Sequence, residues 1–186
     1  MPQTATNTPP KKITAPQFRL KDTNSNYFYS YQDLKGPKGT LIVFLCNDCP
    51  AVMHALEEIL MIAHDYRVQG IGMIAISSND FHQNAQDGPS QMTEFAFKNN
   101  FSFPYLYDDR QEIARELAVK ITPDYFLFDS NDELFYHGQL DDSRPGNNIP
   151  LSGTDLRSAI DAVIYNRTIP DYQKPSDGCE ITWQQY

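Results

Sequence analysis

The chain has 186 residues, 40% of them hydrophobic and 12% aromatic, and a formal net charge of −9. That is enough for one well-cored domain and too apolar for a disordered chain. The acidic balance argues against non-specific binding to nucleic acid or an anionic membrane, no apolar run reaches a membrane span, and the start MPQTATNTPPKK has no signal core.

A soluble, cytoplasmic protein is therefore expected. Residues 1–14 are polar and proline-marked and read as a flexible tail, leaving 15–186 as a single domain. QFRL and YFYSY read as short strands around the polar turn KDTNSN, an N-terminal hairpin. LIVFL has no alternation, so it is expected as a strand buried on both faces of a helix-covered sheet. From Pro50 to about Gln69 the residues Val52, Leu56, Ile59, Leu60 and Ala63 fall at helical spacing, with His54, Glu57, Glu58 and Asp65 opposite. Pro50 suits the first turn and Gly70 the end. IGMIAIS is a second buried strand, giving a right-handed strand–helix–strand unit over 40–77.

A loop, SNDFHQNAQDGPS, leads to a helix carrying Met92, Phe95 and Ala96 inward. FPYLYD is expected as a short edge strand, and Asp109 with Glu112 as the capping box of another helix. ITPDYFLFDSNDELFYHG reads as a hairpin. Ser152 and Asp155 open a last helix bearing Leu156, Ile160, Val163 and Ile164, and the tail IPDYQKPSDGCEITWQQY is irregular. The order predicts an α/β fold, a mixed central sheet flanked by helices.

Cys46 ends the first buried strand and Cys49 lies in the first helical turn. Sites in open α/β sheets lie beyond the carboxyl ends of parallel strands, and a helix start favours a negative sulfur. The spacing predicts that an exposed Cys46 attacks and a shielded Cys49 resolves the mixed disulfide. Between them Asn47 is neutral, and the carboxylate of Asp48 should raise the thiol pKa and make the couple more reducing. Two other readings of the pair stand beside this one: small buried structural residues, or a zinc site drawing on Cys46, Cys49, His54 and Cys179.

The loop after IGMIAIS opens toward the same end, which makes Asn79 a candidate substrate contact. The strand LFYHG returns Gln139, Asp141, Asp142 and Arg144 to that edge. Arg144 is a candidate for binding a substrate carboxylate or a thiolate, against a loop-ordering ion pair with Asp141 or Asp142. Cys179 reads either as a third redox thiol or as a small buried residue beside Trp183.

FLCNDCPAV resembles the CNHCP-type motif of the thioredoxin superfamily, in its peroxiredoxin-like (AhpC/TSA, redoxin) branch. APQFRLKDTNSNYFYSYQDLKG, AISSND, ITPDYFLFD, GQLDDSRPGNN and QKPSDGCEITW are similar to further blocks of it, so the resemblance covers nearly all of residues 13–183. It implies a thioredoxin-like fold and a cis-proline opposite the cysteines, which Pro123 matches. Such a bond exposes the preceding backbone to an incoming substrate strand, a contact that Thr122 would make. Histidine is usual where this chain has Asp48.

A thiol–disulfide oxidoreductase without metal or organic cofactor is thus expected. It would work with a dithiol electron donor of thioredoxin or glutathione type and a disulfide substrate. The first alternative is a thiol peroxidase: the peroxidatic cysteine of peroxiredoxins matches Cys49, but their activating threonine is replaced by Cys46 and an upstream proline by Ile42. The second is a non-catalytic binding module.

Overall fold

The computed structural model describes residues 12–185. At its centre lies β3 (Gly39–Phe44), every residue of which is buried. It runs parallel to β4 (Ile71–Ser77) and antiparallel to β7 (Asp124–Asp129). Leu41 and Val43 face one apolar layer, while Ile42 and Phe44 face the other. With apolar partners on both faces, successive residues have no reason to alternate in polarity.

Between β3 and β4 runs α2 (Pro50–Arg67), with Cys49 as N-cap and Pro50 at the first helical position, where a missing N–H leaves no bond unmade. Val52, Ala55, Ile59, Ile62 and Ala63 meet Leu41 and Val43 in the first layer. The helix stops two residues earlier than the spacing predicted, and Gly70, at φ +93°, turns the chain into β4. Glu58 departs from expectation: it is 2% exposed rather than on a solvated face. Its carboxylate is held by the guanidinium of Arg157, which also meets Asp65 at 2.9 Å. Helical periodicity places Glu58 beside the apolar stripe, and only the neighbouring helix supplies the charge that makes burial tolerable.

The N-terminal hairpin forms as β1 (Arg19–Asp22) and β2 (Phe28–Ser30), followed by the one-turn α1 (Tyr31–Leu34). Of the expected tail, residues 1–11 lie outside the described residues. Lys12–Thr14 are seated beside the turn that follows β7: Lys12 pairs with Glu133, and Thr14 bridges it. After α3 (Pro89–Lys98) comes β5 (Tyr105–Tyr107), which is not an edge strand. It lies between β4 and β1, because the hairpin adds to it and takes the edge. The helix α4 (Glu112–Glu116) starts at Gln111, and the carboxylate that caps it belongs to Asp108, not Asp109: it accepts from the N–H groups of Glu112, Ile113 and Ala114.

The strand β8 (Leu134–Gly138) completes a seven-stranded mixed sheet in the order β2-β1-β5-β4-β3-β7-β8. The helix α5 (Thr154–Ile164) buries Leu156, Ile160 and Val163 against the α2 side. The last segment is not wholly irregular. β9 (Cys179–Glu180) pairs antiparallel with β6 (Ile121–Thr122), in a small second sheet directly before Pro123. Two residues are too few for any period to announce such a strand.

Candidate active site

Three backbone segments meet beyond the end of β3: the turn from β3 into α2, the β6–Pro123 segment, and the C-terminal tail. The Thr122–Pro123 bond is cis, as the resemblance implied. Thr122 touches both cysteines of the motif. Its hydroxyl lies 3.0 Å from Cys46 Sγ, and its carbonyl oxygen lies 3.5 Å from Cys49 Sγ.

The disulfide is not Cys46–Cys49. Cys49 is bonded to Cys179, 130 residues away in sequence, with the two Cα atoms 6.1 Å apart. Cys46 is the free thiol, and it is buried. The expected exposure of Cys46 is therefore corrected, whereas Cys49 is shielded as expected, at 1% exposed. Cys46 sits at the closed end of the strand, 3% exposed, where burial foremost pushes its pKa up to about 11. The Thr122 hydroxyl opposes that rise and Asp87 adds to it; the Asp48 carboxylate raises the pKa as predicted, but the Asp48 backbone N–H, which lowers it, stands ahead of that effect. Cys49 is the N-cap residue of α2, without a side-chain bond to the first N–H groups of the helix. When reduced, its sulfur stands at a helix start, a position that favours a thiolate. Of the two readings of Cys179, the packed residue beside Trp183 gives way to the one that brings its sulfur to the pair: it is bonded to Cys49.

The loop between the cysteines is held from behind by Asp87, which the sequence did not single out. Its buried carboxylate accepts from the Asn47 backbone N–H (2.8 Å), from the Asn79 amide (2.8 Å) and from the Asn84 amide (3.1 Å). The dipeptide Asp87-Gly88 carries only a turn signal, so spacing could not reveal this role. Asn47 is further fixed by Gln86 O and the Tyr105 hydroxyl, while Asp48 is exposed. Asn79 lies at the expected end of β4, but it is buried. Its amide donates to Asp87 and its oxygen accepts from the Thr182 N–H (3.3 Å), so it supports the tail instead of facing a ligand.

Arg144 reaches the site edge and is spent there. It donates to the backbone oxygens of Asp141 (2.6 Å) and Ser143 (2.7 Å) and to Gln139 Oε1, and it pairs with Asp177 at 3.3 Å. The loop-ordering role holds, with Asp177 of the tail as the ionic partner in place of Asp141 or Asp142. His54 Nε2 lies 2.7 Å from Ser143 Oγ and lines a small pocket beside Pro123 with Tyr125 and Arg144. The proposed zinc ligands do not assemble: among the described residues no three His, Cys, Asp or Glu side chains gather as a metal-binding group. Nor, among these residues, is any helix long and apolar enough to cross a membrane.

The tail is fastened on both sides of Cys179. Ser176 Oγ donates to Asp124, which also meets His137 at 3.1 Å. The Ile181 N–H donates to Lys120 O, and the Asp80 N–H to Thr182 O. Arg115 lies over the Trp183 ring at 4.6 Å.

Comparison with known proteins adds the family. The redoxin family model matches residues 10–154, a span that contains Cys46, Cys49, Thr122, Pro123 and Arg144 and ends before Cys179. No curated protein matches the chain significantly. The crystal structure of an uncharacterized conserved protein from Geobacillus kaustophilus is 40% identical, with a TM-score of 0.92 over 97% of this chain and 95% of that one. A hypothetical protein from Sinorhizobium meliloti 1021 is 35% identical, with a TM-score of 0.90 over 96% and 97%. Peroxidoxin BcpB from Mycobacterium tuberculosis, 15% identical with a TM-score of 0.62 over 84% and 97%, shares the fold. With the fold thioredoxin-like and most of its length matched, the chain belongs to the redoxin family, and at the level of that family it is an oxidoreductase.

Proposed function

We propose that the protein is a thiol–disulfide oxidoreductase in which Cys49 is the exchanging sulfur and Cys179 its resolving partner. The observation that carries this reading is the Cys49–Cys179 disulfide at the start of α2. The Cys49 thiolate attacks one sulfur of a substrate disulfide, forms a mixed disulfide and expels the other sulfur as a thiolate. Cys179, as thiolate, then attacks Cys49 Sγ, releases the second substrate thiolate and closes the Cys49–Cys179 bond. A dithiol donor of thioredoxin or glutathione type reopens it by the same exchange. Cys46, protonated until about pH 11, stays in reserve behind Thr122.

The same pair of sulfurs favours a peroxidase as the second reading. The Cys49 thiolate would take one oxygen from a hydroperoxide and become a sulfenic acid. Cys179 would condense with it, forming the disulfide and releasing water. The absence of threonine at position 46 and the engagement of the Arg144 guanidinium with loop oxygens weigh against fast peroxide activation.

Stopped-flow mixing separates the two. Reduced protein is mixed with a protein disulfide or with hydrogen peroxide while Trp183, four residues past Cys179, reports the tail by fluorescence. Faster closure with the protein disulfide is expected. Fast closure with peroxide alone selects the second reading, and Cys49→Ser should abolish the signal in either case.

A further inference from the structure

The tail lies where a substrate polypeptide would lie. Thr122 pairs with Cys179 and Ile121 with Glu180, in an antiparallel strand that ends at the cysteine bonded to Cys49. Gly178, directly before that cysteine, packs flat on the Thr122–Pro123 peptide. A Cβ there would overlap the Thr122 carbonyl oxygen and stand 2.6 Å from its carbon and 3.1 Å from Pro123 N. These are backbone atoms, so no side-chain rotation relieves the overlap. Two residues after the cysteine, Ile181 is 5% exposed, in the apolar layer that holds Ile113, Ala114, Leu117 and Val119. Trp183 follows on Arg115. A strand's alternation sends Cys179, Ile181 and Trp183 to the protein side and leaves Glu180 exposed.

We propose that the C-terminal strand is an internal stand-in for substrate, and that the external substrates of this site are extended polypeptides with glycine directly before the reacting cysteine and an apolar residue two positions after it. This rests on the reading that Cys49 exchanges disulfides, and it names what that sulfur accepts. The tail and the substrate compete for one backbone edge and one sulfur. An internal exchange clears the edge, leaving Cys49 oxidised until the dithiol donor reduces it: Cys46, once it loses its proton, attacks Cys49 Sγ, the Cys46–Cys49 bond forms, the Cys49–Cys179 bond breaks, and Cys179 leaves as a thiolate that takes up that proton. One disulfide replaces another, so the exchange itself needs no outside oxidant or reductant. Thr122 adjoins both sulfurs of the motif along this path.

The test uses full-length protein carrying Cys46→Ser and Cys179→Ser, whose one remaining thiol is Cys49. It is mixed with the peptide PSDGCEITW, the tail's own sequence, capped at cysteine as a thionitrobenzoate disulfide. Attack on the peptide sulfur releases coloured thionitrobenzoate. The expected result is a rate at least about tenfold above that of the PSDVCEITW peptide, a difference of about 1.4 kcal/mol in the transition state. Adding Gly178→Val to the protein, which keeps its own tail from docking, should raise the rate with PSDGCEITW further. Equal rates for the two peptides, with Cys49 readily labelled by dithionitrobenzoate, overturn the proposal alone. If dithionitrobenzoate does not label Cys49 in the folded protein, the exchange reading itself fails and takes the proposal with it.

Discussion

Cys49 stands between β3 and α2, where Leu41, Val43, Val52 and Ile59 are almost wholly closed to solvent. Cys179 sits in a segment, residues 165–185, in which Ile181 is the one buried residue. The first sulfur is held by a core that spans the sheet. The second is held by backbone and side-chain hydrogen bonds, the Arg144–Asp177 ion pair, one apolar anchor, a cation over an indole and the disulfide itself. Apolar burial is collective and opens only with global unfolding, whereas short, solvent-facing hydrogen-bonded segments open locally at low cost. That asymmetry suits exchange chemistry, in which one sulfur stays fixed while its partner comes and goes.

The strongest way to break this comparison is to weaken the core and the tail separately. Leu41→Ala, at a residue 1% exposed in β3 on the layer that holds Cys49, should lower stability to urea by about 3–4 kcal/mol, and by the same amount in the oxidised and the reduced protein. A loss that depends on redox state would show that core and tail are one cooperative unit. Next in size, reducing the Cys49–Cys179 bond should lower stability by about 2–4 kcal/mol. Oxidised Cys179→Ser protein should then unfold at the same urea concentration as the reduced parent.

A third measurement sharpens the contrast between the two cysteines of the motif. In the oxidised protein Cys46 is the free thiol, and its alkylation rate should rise with pH through a midpoint near 11. Burial favours the neutral thiol, and the Asp87 carboxylate disfavours the thiolate further. Asp87→Asn removes that charge, so the midpoint should move down; an upward or null shift would reject Asp87 as an electrostatic neighbour. The smallest expected effect is that of Arg115→Gln. Losing the cation over Trp183 should cost under about 1 kcal/mol, yet in the reduced protein it should red-shift the tryptophan emission as the tail opens. An unchanged spectrum would mean the ring is held by packing alone.

Much of the frame was legible in the chain. Unbroken apolar runs gave β3 and β4, helical spacing gave α2, and Pro50 marked its start, because these signals arise from side chains a few residues apart that share one core. The hairpin at 124–138 was legible for the same reason. The misreadings share a cause as well. β5 is interior because another segment pairs with it, Asp108 caps α4 because the loop geometry turns it inward, and Glu58 is buried because α5 delivers Arg157. Each depends on a partner distant in sequence, which local periodicity does not encode.

The cysteines divide along the same line. Sequence by itself determined that a thiol would stand where a buried parallel strand passes into a helix, since strand and helix are written in nearest-neighbour patterns of polarity. It could not determine which thiol would stand there bonded, or to what. Pairing Cys49 with Cys179 requires the tail to cross the sheet end and add a two-residue strand beside Thr122, a contact made by backbone groups that every residue carries. Only the folded chain brings those groups together, and with them the choice of Cys49 over Cys46.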